Sequence, residues 1–195
     1  MRTAGIILAA GASRRMGRPK ALLRYQGSTF LDRLIGIFTP HCAELVVVLG
    51  RDARDIQAGV KSPGAARFII NAQWELGQLS SLQCGLAALS SVDTIFFTPV
   101  DCPAVELETP AALLASFEPG LRFVIPRFEG RHGHPVLFDA TLTSEFLDLG
   151  PDAAARDVVH RHIASTRYVD VDDPGILRDI DEPADYQALV GVPAR

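Results

Sequence analysis

Apolar residues recur along this chain in two alternating rhythms. Nearly continuous apolar runs lie at 4–10 (AGIILAA), 44–50 (ELVVVLG), 67–70 (RFII), 94–100 (TIFFTPV) and 122–126 (RFVIP), with weaker runs at 134–138 and 167–171. A run without polar alternation suits a strand covered on both faces, as in a parallel sheet between two layers of helices. The intervening segments carry helical spacing instead. TFLDRLIGIF places Phe30, Leu31, Leu34, Ile35 and Phe38 along one stripe, and SSLQCGLAAL does the same with Leu82, Leu86 and Leu89. Further helices are expected from Pro110, across 140–149, across 155–164 and at 182–191, where Pro183 stands near the start and Gly191 near the stop. The alternation predicts a three-layer α/β/α sandwich with a mostly parallel sheet and right-handed crossovers, in one domain over residues 1–195.

With 195 residues, 48% apolar and 22% charged, the chain has the makeup of a globular protein able to bury a core. A formal net charge of −4 supplies no basic field for nucleic acid or an anionic membrane, so basic clusters read as sites for small anions. The cysteines, Cys42, Cys84 and Cys102, show no metal-ligand spacing and no paired framework. Cys42 and Cys84 read as small buried hydrophobes. The apolar N-terminal stretch is too short to span a bilayer and ends in a Gly/Arg loop, so a cytoplasmic location is expected.

The segment 8–20, LAAGASRRMGRPK, carries the densest chemistry. A buried strand ends in small residues, Ala9, Ala10, Gly11 and Ala12, which let a ligand approach backbone N–H groups. Arg14, Arg15, Arg18 and Lys20 add four cations, at the strand end where open α/β sheets bind ligands. The spacing is neither a dinucleotide fingerprint nor a Walker A loop. A plain turn with solvated arginines would set four cations side by side with no structural return. Downstream, Asp101 follows the run 94–100 and is placed either to hold Mg²⁺ or to cap the turn before Pro103.

The run LAAGASRRMGRPKALL resembles the signature L-x-x-G-x-S-x-R-M-G-x-x-K of the MobA-like NTP transferases, closest to the molybdenum cofactor cytidylyltransferase branch. The resemblance implies the Rossmann-like fold of nucleotide-diphospho-sugar transferases. Arg15 and Lys20 would be the main phosphate cations and, with Asp101, the catalytic set. Leu8, Ala9, Ala10, Gly11, Ser13, Arg14 and Gly17 would shape the triphosphate cradle. The alanines of Leu8–Gly11 tilt the choice toward CTP over GTP. RDIDEPADY resembles the family's closing motif, which implies Asp181 as the second Mg²⁺ ligand, with Asp179 the weaker candidate. Read by itself, Asp181 could be a helix cap. Asp170, Asp172 and Asp173 read as solvated turn residues.

NAQWELGQLSSL resembles the family's base-reading segment, which makes Asn71, Gln78, Ser80 and Ser81 nucleotide contacts. One serine is also expected to cap the helix, and Trp74 to anchor packing. GRHGHPV and GPDAAAR resemble acceptor-side motifs, which makes Arg131, His132, His134 and Arg156 contacts to an anionic acceptor. Arg156 reads equally as a surface helix residue, and His160 and His162 as solvent-facing. The resemblance implies transfer of a nucleoside monophosphate to a phosphate-bearing acceptor, with molybdopterin leading and a molybdoenzyme as downstream partner. Two alternatives stay open: another acceptor, such as a sugar or polyol phosphate, and a non-catalytic nucleotide-binding chaperone.

Overall fold

The fold follows from strands that bury both faces. In the computed structural model, which describes residues 1–191, the strand Thr3–Ala9 (β1) is buried along its whole length. Ile7 and Ala9 face one apolar cluster, and Ile6 and Leu8 face the other. The strands Glu44–Leu49 (β4) and Thr94–Pro99 (β6) divide the same way, Val47 and Phe96 against Val46 and Ile95. This is the period-2 geometry of a strand between two cores. Arg24–Tyr25 (β2) and Ser28–Thr29 (β3) form a small separate hairpin.

The large sheet is completed by Arg67–Ile70 (β5), Phe123–Phe128 (β7), Arg131–His132 (β8), Val136–Asp139 (β9) and Thr166–Asp170 (β10). Its order is β10-β7-β9-β6-β1-β4-β5, with β8 on β7. The partners β5-β4-β1-β6 and β7-β10 pair in parallel, and β9 runs antiparallel between β6 and β7. The expected mostly parallel sheet is present, and the weak run at 134–138 contributes to β9, an antiparallel strand within it.

Helices Phe30–Phe38 (α1), Ala53–Gly59 (α2), Glu108–Ala115 (α4) and Pro183–Val190 (α7) contribute to one core; Gln78–Ala88 (α3), Thr143–Leu147 (α5) and Ala155–Arg161 (α6) contribute to, or pack against, the other. α1 shows how sequence sets a helix. The Thr29 hydroxyl accepts from the Asp32 N–H at 3.0 Å, and Phe30, Leu31, Leu34, Ile35, Ile37 and Phe38 are then buried. Each such side chain contributes about 1.5–3 kcal/mol by leaving water. α7 starts at Pro183 and stops at Gly191 in the left-handed region (φ 68°), as its sequence asymmetry predicts. Among the described residues, no helix is long and apolar enough to cross a membrane.

One helix was not expected, and three expectations need correction. α2 has only Ala53 and Ile56 buried, too few for a periodic pattern. α3 starts at Gln78 behind Gly77, so neither Ser80 nor Ser81 is the N-cap. Asp173 is no solvated turn residue: it is 2% exposed. The His162 ring is bonded to Glu145 at 2.8 Å and packs near Phe123, so it does not simply face solvent.

Gly50, just after β4, has the tightest consequence for the cleft described below. A Cβ there would stand 2.3 Å from the Ala10 carbonyl oxygen and 2.8 Å from Trp74 Cβ. Gly50→Ala should therefore displace backbone at the end of β1 and cost about 1–3 kcal/mol in urea unfolding; unchanged stability would contradict this packing.

Candidate active site

From β1 the chain passes to β4 and β5 on one side, then returns through α3 to β6 on the other. The carboxyl ends of β1 and β6 thus flank a topological switch point, the ligand-binding position of open α/β sheets. The Val100 N–H donates to the Leu8 carbonyl at 2.9 Å and keeps the two ends side by side. A cleft of about 320 Å³ opens there, at the small end of the range for small-molecule sites. Its walls are Leu8, Ala9, Ala10, Gly11, Ser13, Arg14, Arg15, Pro19, Lys20 and Ala21 from the first loop, and Ile56 from α2. Trp74, Gly77, Gln78, Ser81, Pro99, Val100, Asp101 and Asp181 complete the lining.

The first loop is braced by Ser13. Its carbonyl accepts from the Met16 and Gly17 N–H groups (3.0 and 3.1 Å), and its hydroxyl accepts from the Lys20 N–H at 3.1 Å. Ser13 holds φ 47° and Gly17 φ 70°, so the loop closes through two left-handed residues. Gly17 makes this turn but does not line the cleft. The four cations then diverge. The Arg18 guanidinium lies over the Tyr186 ring, 5.6 Å from its centre. Arg14 is exposed, with no ion pair among the described residues. Arg15 Nη2 reaches Asp181 Oδ2 at 3.2 Å. Lys20 Nζ, on a side chain only 12% exposed, donates to Asp181 Oδ1 at 2.6 Å and to Asp101 Oδ2 at 3.1 Å.

Asp101 and Asp181 therefore meet at one nitrogen although 80 positions separate them. Backbone fixes the meeting: the Ile180 N–H donates to the Asp101 carbonyl at 2.8 Å. Asp185 Oδ2 accepts from the Asp181 and Glu182 N–H groups, each at 2.9 Å, and sets the turn into α7. Burial pulls the Lys20 pKa down, but the charges and hydrogen bonds of Asp101 and Asp181 outweigh it and hold the ammonium above its ordinary value. The Lys20 hydrogen bond, against partial burial, holds the Asp181 carboxyl below its ordinary value, with Arg15 helping. Such a pair of carboxylate oxygens matches the hard donors of a divalent cation. Beside them, Cys102 Sγ is 3.0 Å from Asp179 Oδ1; burial first, then Asp101 and Asp179, push the thiol pKa well up. Asp101, Cys102 and Asp179 also place ligand atoms within 4.8 Å of one another.

The base-side residues split. Gln78 and Ser81 line the cleft, whereas Asn71 and Ser80 line an adjacent depression bordered by Gln83 and Leu149. Asn71 Nδ2 donates to the Ser80 and Ser81 hydroxyls at 3.0 and 3.1 Å, so it bears on the cleft through Ser81. Arg131 and His132 are exposed on β8, where the His132 ring stacks on Tyr168 at 4.2 Å. Arg156 is exposed on α6. His134 packs edge-on to Phe97, with Nδ1 buried and unpartnered among the described residues. None of these four lines the cleft. Ile56, Pro19 and Ala21, which do, carry no polar signal that a sequence reading could use.

Burial pushes the His134 pKa down, with Asp179, Asp101 and the Phe97 backbone opposing in part. The unfolded chain therefore takes up its proton first, near pH 6.5. The stability is fully present above that value and is lost as pH falls toward the lower folded pKa. Urea unfolding from pH 7.5 to 5 should show this loss in the wild type and less of it in His134→Gln; parallel curves would contradict it.

The model for the MobA-like NTP transferase domain matches residues 5–166. The nicotine blue oxidoreductase of Paenarthrobacter nicotinovorans is 33% identical over 187 residues, covering 91% of each chain. The molybdenum cofactor cytidylyltransferase of Escherichia coli is 24% identical over 182 residues, 93% of this chain and 92% of its own. The crystal structure of Rv0371c from Mycobacterium tuberculosis superimposes with TM-score 0.84 at 27% identity, covering 98% of each chain. Its manganese complex gives 0.81 at 25%, covering 99% of this chain and 100% of that one.

Proposed function

The chain belongs to the MobA-like NTP transferase domain family, and from that we propose that it transfers a nucleoside monophosphate, from CTP in preference to GTP, to a phosphate-bearing acceptor, releasing pyrophosphate. The observation that carries this reading is the convergence of Arg15, Lys20, Asp101 and Asp181 at the mouth of the first loop. Molybdopterin is the leading acceptor, a molybdoenzyme the user of the product, and the cytoplasm the place of action. Support comes from the alanine-rich Leu8–Gly11 run and from a cytidylyltransferase relative that spans nearly the whole chain.

In this reading Arg14, Arg15, Lys20 and the loop N–H groups embrace the triphosphate. The N-terminus of α3, with Gln78 and Ser81, borders the nucleoside, with Asn71 and Ser80 behind it. An acceptor phosphate oxygen forms a bond to the α-phosphorus while the bond to the bridging β-oxygen breaks, and pyrophosphate carries the charge away. The acceptor is already ionised, so no protein base is required. Asp101 and Asp181 would hold Mg²⁺, which when bound neutralises charge on the departing phosphates. Lys20 first bridges the two carboxylates and then moves onto the arriving phosphates. Gly11 keeps the approach open: a Cβ there would meet no protein atom within 4 Å. Arg131, His132, His134 and Arg156 do not line the cleft, and in this reading they would meet the acceptor outside it.

The 33% identity to a nicotine blue oxidoreductase favours a second reading, turnover of that pigment. Pyrophosphate release, measured with CTP or GTP against molybdopterin and a sugar phosphate, separates the readings. The nucleotidyl reading predicts pyrophosphate only when nucleotide and acceptor are both present, and a loss of about 100-fold or more in Asp101→Asn or Lys20→Gln. Turnover of nicotine blue without nucleotide, or nucleotide binding without turnover and indifferent to Asp101→Ala, would overturn it; the latter would leave a cofactor-loading chaperone. Gly11→Val should keep the melting temperature and raise the nucleotide KM, whereas an unchanged KM would remove the loop from the nucleotide site.

A further inference from the structure

We propose that Asp173 is a positioning residue for the carboxylate pair: buried and without a cation, it pins the turn that carries Asp181 against the loop that carries Asp101. Asp173 is 2% exposed. Both of its oxygens accept hydrogen bonds, from donors in two segments. Oδ2 accepts from the Glu106 N–H at 2.9 Å and the Thr109 hydroxyl at 2.6 Å, both in the segment that follows Asp101. Oδ1 accepts from the Gly175 N–H at 2.8 Å, in the turn that leads to residues 179–181. No Lys, Arg or His among the described residues forms an ion pair with it. A buried carboxylate held only by neutral donors is costly to keep, and here its bonds join the two segments whose acids must converge.

The surrounding backbone leaves that turn little freedom. A Cβ on Gly175 would stand 2.1 Å from the Ala104 carbonyl oxygen, and one on Gly133 would stand 1.9 Å from the Ile176 carbonyl oxygen. The turn is thus clamped between the loop after β6 and the loop after β8. On the far side of the 101–109 segment, Arg33 of α1 donates to the Pro103 and Val105 carbonyls at 2.7 and 3.2 Å. Arg33 holds the segment's carbonyls and Asp173 holds its N–H and hydroxyl. The Ile180 N–H then closes onto the Asp101 carbonyl. Without Asp173 the second clamp opens, and the 179–181 turn is free to drift from Asp101, while the first loop keeps its own brace through Ser13.

The inference rests on the reading of Asp101 and Asp181 as the cation ligands, and its test separates the two. Mn²⁺ binding is followed by electron paramagnetic resonance in the presence of a non-hydrolysable CTP analogue, with analogue binding alone followed by calorimetry. The wild type should bind Mn²⁺ and Asp101→Ala should not. Asp173→Ala should weaken Mn²⁺ about 10-fold or more and leave analogue affinity without metal within about twofold. Thr109→Val removes one of the same bonds and should shift Mn²⁺ affinity in the same direction by less. It serves as the measure should Asp173→Ala not fold. Unchanged Mn²⁺ affinity in a folded Asp173→Ala, or in Thr109→Val where that stands in, would overturn the positioning role. An equal loss of metal-free analogue affinity would also overturn it, because the damage would then be general. Mn²⁺ binding by the wild type that survives Asp101→Ala would instead sink the metal reading beneath it.

Discussion

The site depends on one shared ammonium. Lys20 Nζ lies within hydrogen-bond reach of both Asp101 and Asp181, on a side chain largely withdrawn from water. Two carboxylates brought this close repel one another, and leaving either unpaired in a part-buried cleft is costly. A cation must lie between them. Everything that shapes the cleft serves that meeting: the Val100–Leu8 bond beside β1, the Ile180–Asp101 bond between distant segments, and the Ser13 brace that aims the first loop. A polyphosphate with its divalent counterion presents the same charges in reverse order. In the proposed function the acids would hold the cation where the ammonium now lies, and Lys20 would be freed for the phosphates.

The fold was legible because burial leaves an uninterrupted mark. Residues 44–49 and 94–99 carry apolar side chains toward both cores, and no single-faced strand would do so. α1 was legible from its apolar stripe between Phe30 and Phe38, and α7 from Pro183 at its start and Gly191 at its stop. α2 was not, since it lies over the first loop with only Ala53 and Ile56 buried. The reversed direction of β9 was not legible either, because an apolar run carries no sign of which way its strand points.

The first loop stood out as a candidate phosphate cradle because glycine, serine and four cations follow a buried strand. Its internal division of labour did not. Nothing in the spacing separates Arg18, which lies over Tyr186, from Arg15, which reaches Asp181. Asn71 and Ser81 were found together in the motif, but the spacing did not show that only Ser81 lines the cleft and that Asn71 bonds to it from behind. Asp173 stayed hidden for a further reason. An aspartate before proline has the look of a turn residue, and its value lies in donors 67 and 64 positions away.

The central claim is that the acids hold a cation in place of Lys20 once the phosphates arrive. A crystal structure grown with Mn²⁺ and a non-hydrolysable CTP analogue tests it most directly, through anomalous density for the metal. The account predicts a manganese peak between Asp101 and Asp181, with Lys20 Nζ moved onto a phosphate oxygen. Manganese bound elsewhere, with Lys20 still bridging both carboxylates beside a bound nucleotide, would contradict it.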